Sequence, residues 1–244
     1  MASNDGSTAP IVEGARARAR KEIRAAILAS AGTQLAADGA AALSLRAVAR
    51  DLGMASSAMY RYFDSRDALL TALIIDAFDS IGDHLERDIA ASRDLPPATR
   101  WVNAAVAVRE WALAHPHDYA LVFGTPIPGY AAPEDTIGPG TRVPRLLVTI
   151  VQDAARDGAI TPPTSPSALS PTTAASFDAI RAEIELDETV SNETFLITMT
   201  AWTQMFGLLT FELFGQTRNL VADDGVLYAD AALAMARHVG LGER

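Results

Sequence analysis

The chain has 244 residues, 49% of them apolar, a formal net charge of −10 and no cysteine. That size and composition support one large or two modest domains with a core that needs no covalent staple. The missing cysteines exclude disulfides, Cys-based zinc sites and thiol catalysis, and are compatible with a reducing cytoplasm. The charge is not evenly spread: residues 1–75 hold nine Lys+Arg and seven Asp+Glu, about +2, and residues 76–244 hold eleven and twenty-three, about −12. A basic head can hold phosphate, and an acidic remainder limits nonspecific attachment to it.

Residues 1–14 contain no apolar run of the signal-peptide kind and read as a disordered tail. Apolar spacing predicts a first helix over 17–37, with Ile23, Ile27, Ala31 and Leu35 on its inner stripe and Asp38-Gly39 at its end. Leu45, Val48, Ala49 and Leu52 give a second, short helix over 45–52, with Ser44 as N-cap and Gly53 as its left-handed stop. Residues 56–63 form a third. Met59 and Phe63 read as core. Helix, glycine turn, helix is the arrangement in which the second helix enters a DNA major groove. Ser65 caps a long fourth helix reaching about residue 90, apolar along Leu69, Leu70, Leu73, Ile74, Ala77, Phe78, Ile81 and Leu85.

Arg93–Pro97 breaks the pattern. A fifth helix is predicted over 98–114, a short sixth over 117–123, a Gly/Pro-rich loop over 124–139 and a seventh helix over 141–157. A Pro/Ser/Thr-rich mobile linker follows at about 159–173, then a weaker helix over 174–186, a strongly apolar one over 190–214 and a last one over 225–239. The run Phe195–Phe214 approaches membrane-spanning length, but its threonines, Gln204 and Glu212 favour a buried helix of a soluble protein and no membrane partner. The fold class is therefore all-α: a tail at 1–14, a helix-turn-helix domain at 15–65, and a helical domain at 66–244.

The run Met59-Tyr60-Arg61-Tyr62-Phe63-Asp64-Ser65-Arg66, followed by Asp67-Ala68-Leu69-Leu70, resembles the signature of the TetR family of transcriptional regulators. It departs from that pattern at Tyr62, where the family usually has His, at Asp64, often Pro, and at Arg66, usually Lys. Downstream, Trp111, His115-Pro116, Tyr119, Phe123-Gly124, Pro126 and Pro128-Gly129-Tyr130 are similar to the Trp-His-Gly class of C-terminal domains in that family. So is the run from Ala201-Trp202 through Phe214-Gly215. The resemblance implies a cytoplasmic homodimer that binds a near-palindromic double-stranded operator and leaves it when a small, largely apolar effector enters the C-terminal domain. No cofactor and no catalytic activity are implied.

Within the head, Ser56, Ser57 and Ala58 are small enough for close approach to base edges, and Tyr60, Arg61 and Tyr62 project from the same short helix. Arg46 can meet guanine or phosphate, and Ser44 and Arg66 lie at helix N-termini that favour phosphate. Arg16 to Arg24 form either a backbone-contacting arm or a solvated helix start.

In the larger domain, Trp101, Trp111, His115, Phe123, Trp202, Met205 and Phe206 are candidates for a ligand pocket, with ordinary core as the alternative for each. His115, four residues after Trp111, also suits a helix-end cap. Gly207, Leu208, Phe211 and Gly215, with Ala232 and Met235 of the last helix, are the candidate dimer interface; burial inside one subunit is the alternative. The four histidines lack ligand spacing for a metal, and no phosphate loop, nucleophile elbow or metalloprotease helix is present. The competing functional class is a helical ligand-binding protein or enzyme with a non-functional head.

Overall fold

Helix α1, Ala15–Asp38, stops at Gly39, whose φ of 78° is a conformation that favours glycine. A computed structural model of the chain describes residues 14–161, 169–184 and 186–242. The expected tail, except for Gly14, and residues 162–168 of the expected linker lie outside the described residues. Contacts divide the chain into two units, 1–73 and 74–244, so the division falls inside the fourth helix, beyond the expected boundary at 65.

In the first unit, α1 and a 3-10 turn at Ala40–Ala42 lead into α2, Leu45–Asp51, and α3, Ser56–Met59. Gly53 ends α2 at φ 63°. The Met54 N–H donates back to the Ala49 carbonyl at 2.8 Å, the wide closure of a glycine-terminated helix. The third helix is shorter than its expected span of 56–63. After Met59 the chain tightens: the N–H groups of Arg61, Tyr62 and Phe63 donate to the carbonyls of Ala58, Met59 and Met59 at 3.2, 2.9 and 3.1 Å. The tightened turn leaves both Met59 (0% exposed) and Phe63 (3%) in the core, with Ile27, Ala31, Val48 and Ala49.

Helix α4, Arg66–Ala91, runs unbroken across the division at 73/74. Ser65 caps it as expected, its Oγ accepting from the Ala68 N–H at 3.0 Å.

The second unit is built around α5, Pro97–Ala114, whose Trp101, Ala104, Ala105, Val108 and Ala112 are fully buried. Its alanines let neighbouring helices approach closely. Packed against it are α6 (Pro116–Phe123), α7 (Ile137–Arg156), α9 (Asn192–Leu213) and α10 (Asp224–Val239). Helix α8, Pro171–Glu183, docks through Phe177, whose ring meets Phe195 of α9 edge-on at 4.9 Å. Ser170, Ser191 and Asp223 cap α8, α9 and α10. Helix α9 has the length and apolarity of a membrane span, yet its Ala201, Met205 and Leu209 belong to this core and its Glu212 is ion-paired.

A second element departs from its sequence pattern. Helix α7 begins at Ile137, a turn earlier than the Gly/Pro-rich spelling implies. Pro139 sits in the first turn, where no backbone N–H is needed. Gly140 packs beside Phe78 of α4, where a Cβ would stand 3.4 Å from the ring, an ordinary contact. Pro144 falls inside the helix and supplies no N–H to the Gly140 carbonyl. Among the described residues there is no strand, only an isolated bridge between Ile160 and Leu241.

Candidate DNA interface and ligand cavity

The outer surface of the first unit collects most of the anticipated DNA-contacting residues. Arg46, Ser56, Ser57, Tyr60 and Arg61 are exposed, and Ala58 is half-buried. Tyr60 keeps 48% of its surface open, high for an aromatic residue beside a core. The side chains of Arg46 and Arg61 have no ion pair or hydrogen bond among the described residues.

Three anticipated residues have intramolecular attachments or lack an expected one. The Arg66 guanidinium donates to the Ala40 carbonyl at 2.8 Å and lies 3.4 Å from Asp67, so it ties α4 to the turn after α1. Tyr62 is half-buried, with the Arg20 guanidinium 5.7 Å from its ring centre. Arg24 sits 4.6 Å over Phe63 in the same way, so part of the α1 basic cluster is stacked on α3's continuation. Ser44 occupies the N-cap of α2 with extended backbone, but its hydroxyl makes no cap bond, which corrects the expected capping.

In the second unit, a cavity of about 220 Å³ opens between α7, α8 and α9. Helix α7 contributes Thr141, Pro144, Arg145, Leu147 and Val148; α8 and its end contribute Ile180 and Ile184; α9 contributes Phe195, Thr198, Met199 and Trp202.

Of the seven pocket candidates, Trp202 lines this cavity. Phe206 lies against Trp202 at 5.9 Å and Phe123 at 4.7 Å, and Tyr119 and Phe78 complete an aromatic cluster behind it. Trp101 and Met205 are core, at 0% and 2% exposure. Trp111 donates its indole N–H to Ser80 at 3.0 Å and stacks on His115 at 5.2 Å. His115 Nδ1 lies 2.9 Å from the Trp111 carbonyl, closing the end of α5 in the capping role that its position suits.

The sequence reading missed the α7 and α8 walls. A signal was present: Pro144 stands inside a two-faced helix, where one backbone hydrogen bond is lost. It also missed Arg142, which bridges α7 to Asp79, Asp83 and Glu86 of α4 at 3.4, 2.5 and 2.8 Å. Those acids recur at 79, 83 and 86, one face of α4. Gly82 makes room for the bridge: a Cβ there would come within 2.5 Å of the Arg142 side chain.

Along α9 and at its C-cap, Gly207 has open space around it and Phe211 and Phe214 are 51% and 53% exposed, whereas half-buried Leu208 packs against the core. Gly215 follows at φ 74°, and Met235 of α10 is half-buried. Ala232, by contrast, is fully buried inside the subunit.

Residues 27–73 match the model of bacterial regulatory proteins of the tetR family, and residues 101–235 match that of the tetracyclin repressor-like C-terminal domain. The chain is 39% identical over 225 residues to the HTH-type transcriptional regulator Rv1816 of Mycobacterium tuberculosis, covering 88% of this chain and 91% of that one. The chain belongs to the TetR family of transcriptional regulators. Among solved structures, this TetR-family chain is similar to regulatory protein SCO4313, at TM-score 0.72 and 32% identity, covering 91% of this chain and 98% of that one. It is also similar to a Rhodococcus sp. RHA1 protein of unknown function, at TM-score 0.68 and 25% identity, covering 95% and 98%. The curated relative is a transcriptional regulator, and membership of the family makes this chain one rather than an enzyme.

Proposed function

We propose that this TetR-family regulator is a cytoplasmic homodimeric repressor that leaves a near-palindromic operator when a small, largely apolar molecule enters the cavity between α7, α8 and α9. The observation that carries the reading is the cavity itself. Its wall is shared with α7, and α7 is clasped through Arg142 to α4, the helix that continues into the DNA-binding unit. An occupant that binds one setting of α7 better than another shifts α4 through that clasp. The shift can be no larger than the occupant's differential affinity for the two states, about 1–3 kcal/mol in coupled sites.

Two heads of a dimer reach successive major grooves about 34–36 Å apart, so the operator is an inverted repeat. The test is recovery of fragments from sheared genomic DNA of the source organism by the purified protein at near-physiological salt. An enriched inverted repeat beside a promoter, released by compounds that fill the cavity, is the expected result. Uniform recovery without a motif overturns it.

The exposed stripe of α9 supports the dimer. Gly207 lets a partner helix approach, and Phe211 and Phe214 supply apolar area that a monomer leaves in water. Phe211→Glu is expected to yield monomers at micromolar concentration in sedimentation velocity, with unchanged helix content by circular dichroism. A dimer that survives this change places the interface elsewhere.

A further inference from the structure

We infer that the cavity reads size and shape alone: it takes an uncharged hydrocarbon body of about one ring, an alkylbenzene or its aliphatic equivalent, and admits a polar group only where that group stays in solvent. The inference rests on the reading of this cavity as the effector site and adds the class of effector.

The size sets the body of the ligand. A cavity of about 150 Å³ accommodates benzene, so about 220 Å³ accommodates one ring with one or two short substituents. Leu147, Val148, Ile180 and Ile184 supply aliphatic walls, and Phe195 and Met199 a ring and a thioether.

The polar groups exclude the rest. Ligand sites commonly carry a few polar groups that orient the occupant. Here, among the described residues, each polar side chain of the lining is committed or turned elsewhere. The hydroxyls of Thr141 and Thr198 donate to the carbonyls of Gly138 and Thr194 at 3.0 and 2.8 Å. The indole N–H of Trp202 is buried and has no surface open to the cavity. Arg145 is exposed and also lines the polar cleft shared with Asp79, Glu86 and Arg142, so it is no buried charge of the cavity. Pro144 puts ring carbons where another residue would have a backbone N–H.

A carbonyl, amine or hydroxyl carried inside therefore gives up its water bonds and meets no free donor, only the remaining lone pairs of a threonine oxygen. The cavity is partly open, so a polar group at one end of an occupant keeps its water. A ring with polar groups at opposite ends must bury one of them.

The experiment compares p-xylene, p-cresol and hydroquinone, in which the two methyl groups of one ring are replaced by hydroxyls in turn. Binding is measured by isothermal titration of the full-length protein. Val148→Phe fills the cavity from α7, and Ile180→Phe fills it from α8 should the first variant fail to fold by circular dichroism. The wild type is expected to bind p-xylene and p-cresol one to one, and hydroquinone about tenfold or more weakly than p-cresol, the cost of one buried hydroxyl without a partner. Either filling variant is expected to lose all three. Hydroquinone bound as tightly as the other two, with all three blocked by filling, overturns the hydrocarbon proposal and leaves the cavity as an effector site. Binding that neither filling variant affects overturns both. Failure of all three to bind the wild type overturns the hydrocarbon proposal, and the cavity reading is then decided by whether the filling variants abolish operator release by any compound that causes it.

Discussion

Replacing Arg46 and Arg61 together with alanine is expected to lower operator affinity about 100-fold or more at physiological salt, because each lost contact to phosphate or base edge is worth about 1–3 kcal/mol. Both guanidinia are exposed and uncommitted on the surface that carries Ser56, Ser57 and Tyr60. A dimer presents four such groups. If all four meet phosphate, the slope of log affinity against log salt becomes shallower by roughly 3 to 4. If Arg46 meets guanine instead, the slope changes less and preference at one base pair relaxes. Fluorescence anisotropy on the recovered operator, across a salt series, reads both quantities.

Arg66→Ala serves as the contrast. Its guanidinium is bonded to the Ala40 carbonyl, so its loss is expected to lower stability by about 1–2 kcal/mol and leave the salt slope unchanged. An unchanged slope in the double variant, or a slope change in Arg66→Ala as large as that of the pair, overturns this division of labour.

That division also marks how far the head could be read from its residues. The core of the head was legible, because Ile27, Ala31, Val48, Ala49, Met59 and Phe63 follow helical spacing and each is buried. Gly53 was legible because an abrupt end to a short helix demands a left-handed residue, and it has φ 63°. Arg66 was not. A sequence shows that a cation stands at a helix start, but only the folded turn at Ala40–Ala42 brings a carbonyl to it from 26 residues away. Ser44 failed for a related reason: the residue type and backbone suit a cap, but the hydroxyl is not turned to it.

In the second unit, periodicity located the helices and misplaced the start of α7, since Gly138, Pro139 and Gly140 spell a loop. Proline in a first turn loses nothing, and Gly140 packs beside Phe78 of another helix, a tertiary contact that local propensity does not contain. The cavity was the least legible feature. Large aromatic residues drew attention as pocket candidates, but large rings pack best against each other, as Phe123, Tyr119, Phe206 and Trp202 do. Space remains instead where a helix is interrupted and its neighbours are aliphatic, between Pro144, Leu147, Val148, Ile180 and Ile184. Composition names what can line a cavity, and packing decides what does.

Glu212→Ala is expected to destabilise the protein by about 3 kcal/mol, the lower end for breaking a buried ion pair. Glu212 of α9 holds Arg109 of α5 through both carboxylate oxygens, at 2.5 Å from Nη2 and 2.8 Å from Nε, with side chains 10% and 19% exposed. Glu212 raises the Arg109 pKa, first through the hydrogen bond and also by its charge; burial opposes it. Truncation leaves that cation without its main partner. Asp223 and Asp224 at the start of α10 also act on Arg109, which keeps the loss from the upper end of the range. Urea unfolding at two protein concentrations measures it, because Glu212 adjoins exposed Phe211 and a weakened dimer alone gives a concentration-dependent loss. The pair Arg109→Met with Glu212→Leu is expected to recover most of the stability, since apolar groups of similar volume replace buried ion pairs at little cost. Nearby Tyr228 carries a buried hydroxyl with no partner, its pKa raised chiefly by burial, so Tyr228→Phe is expected to be neutral or slightly stabilising. A Glu212→Ala loss under about 1 kcal/mol would mean that the pair is screened as a surface pair is. A double variant as unstable as the single one would mean that the ion pair fixes the α5–α9 geometry rather than merely neutralising it.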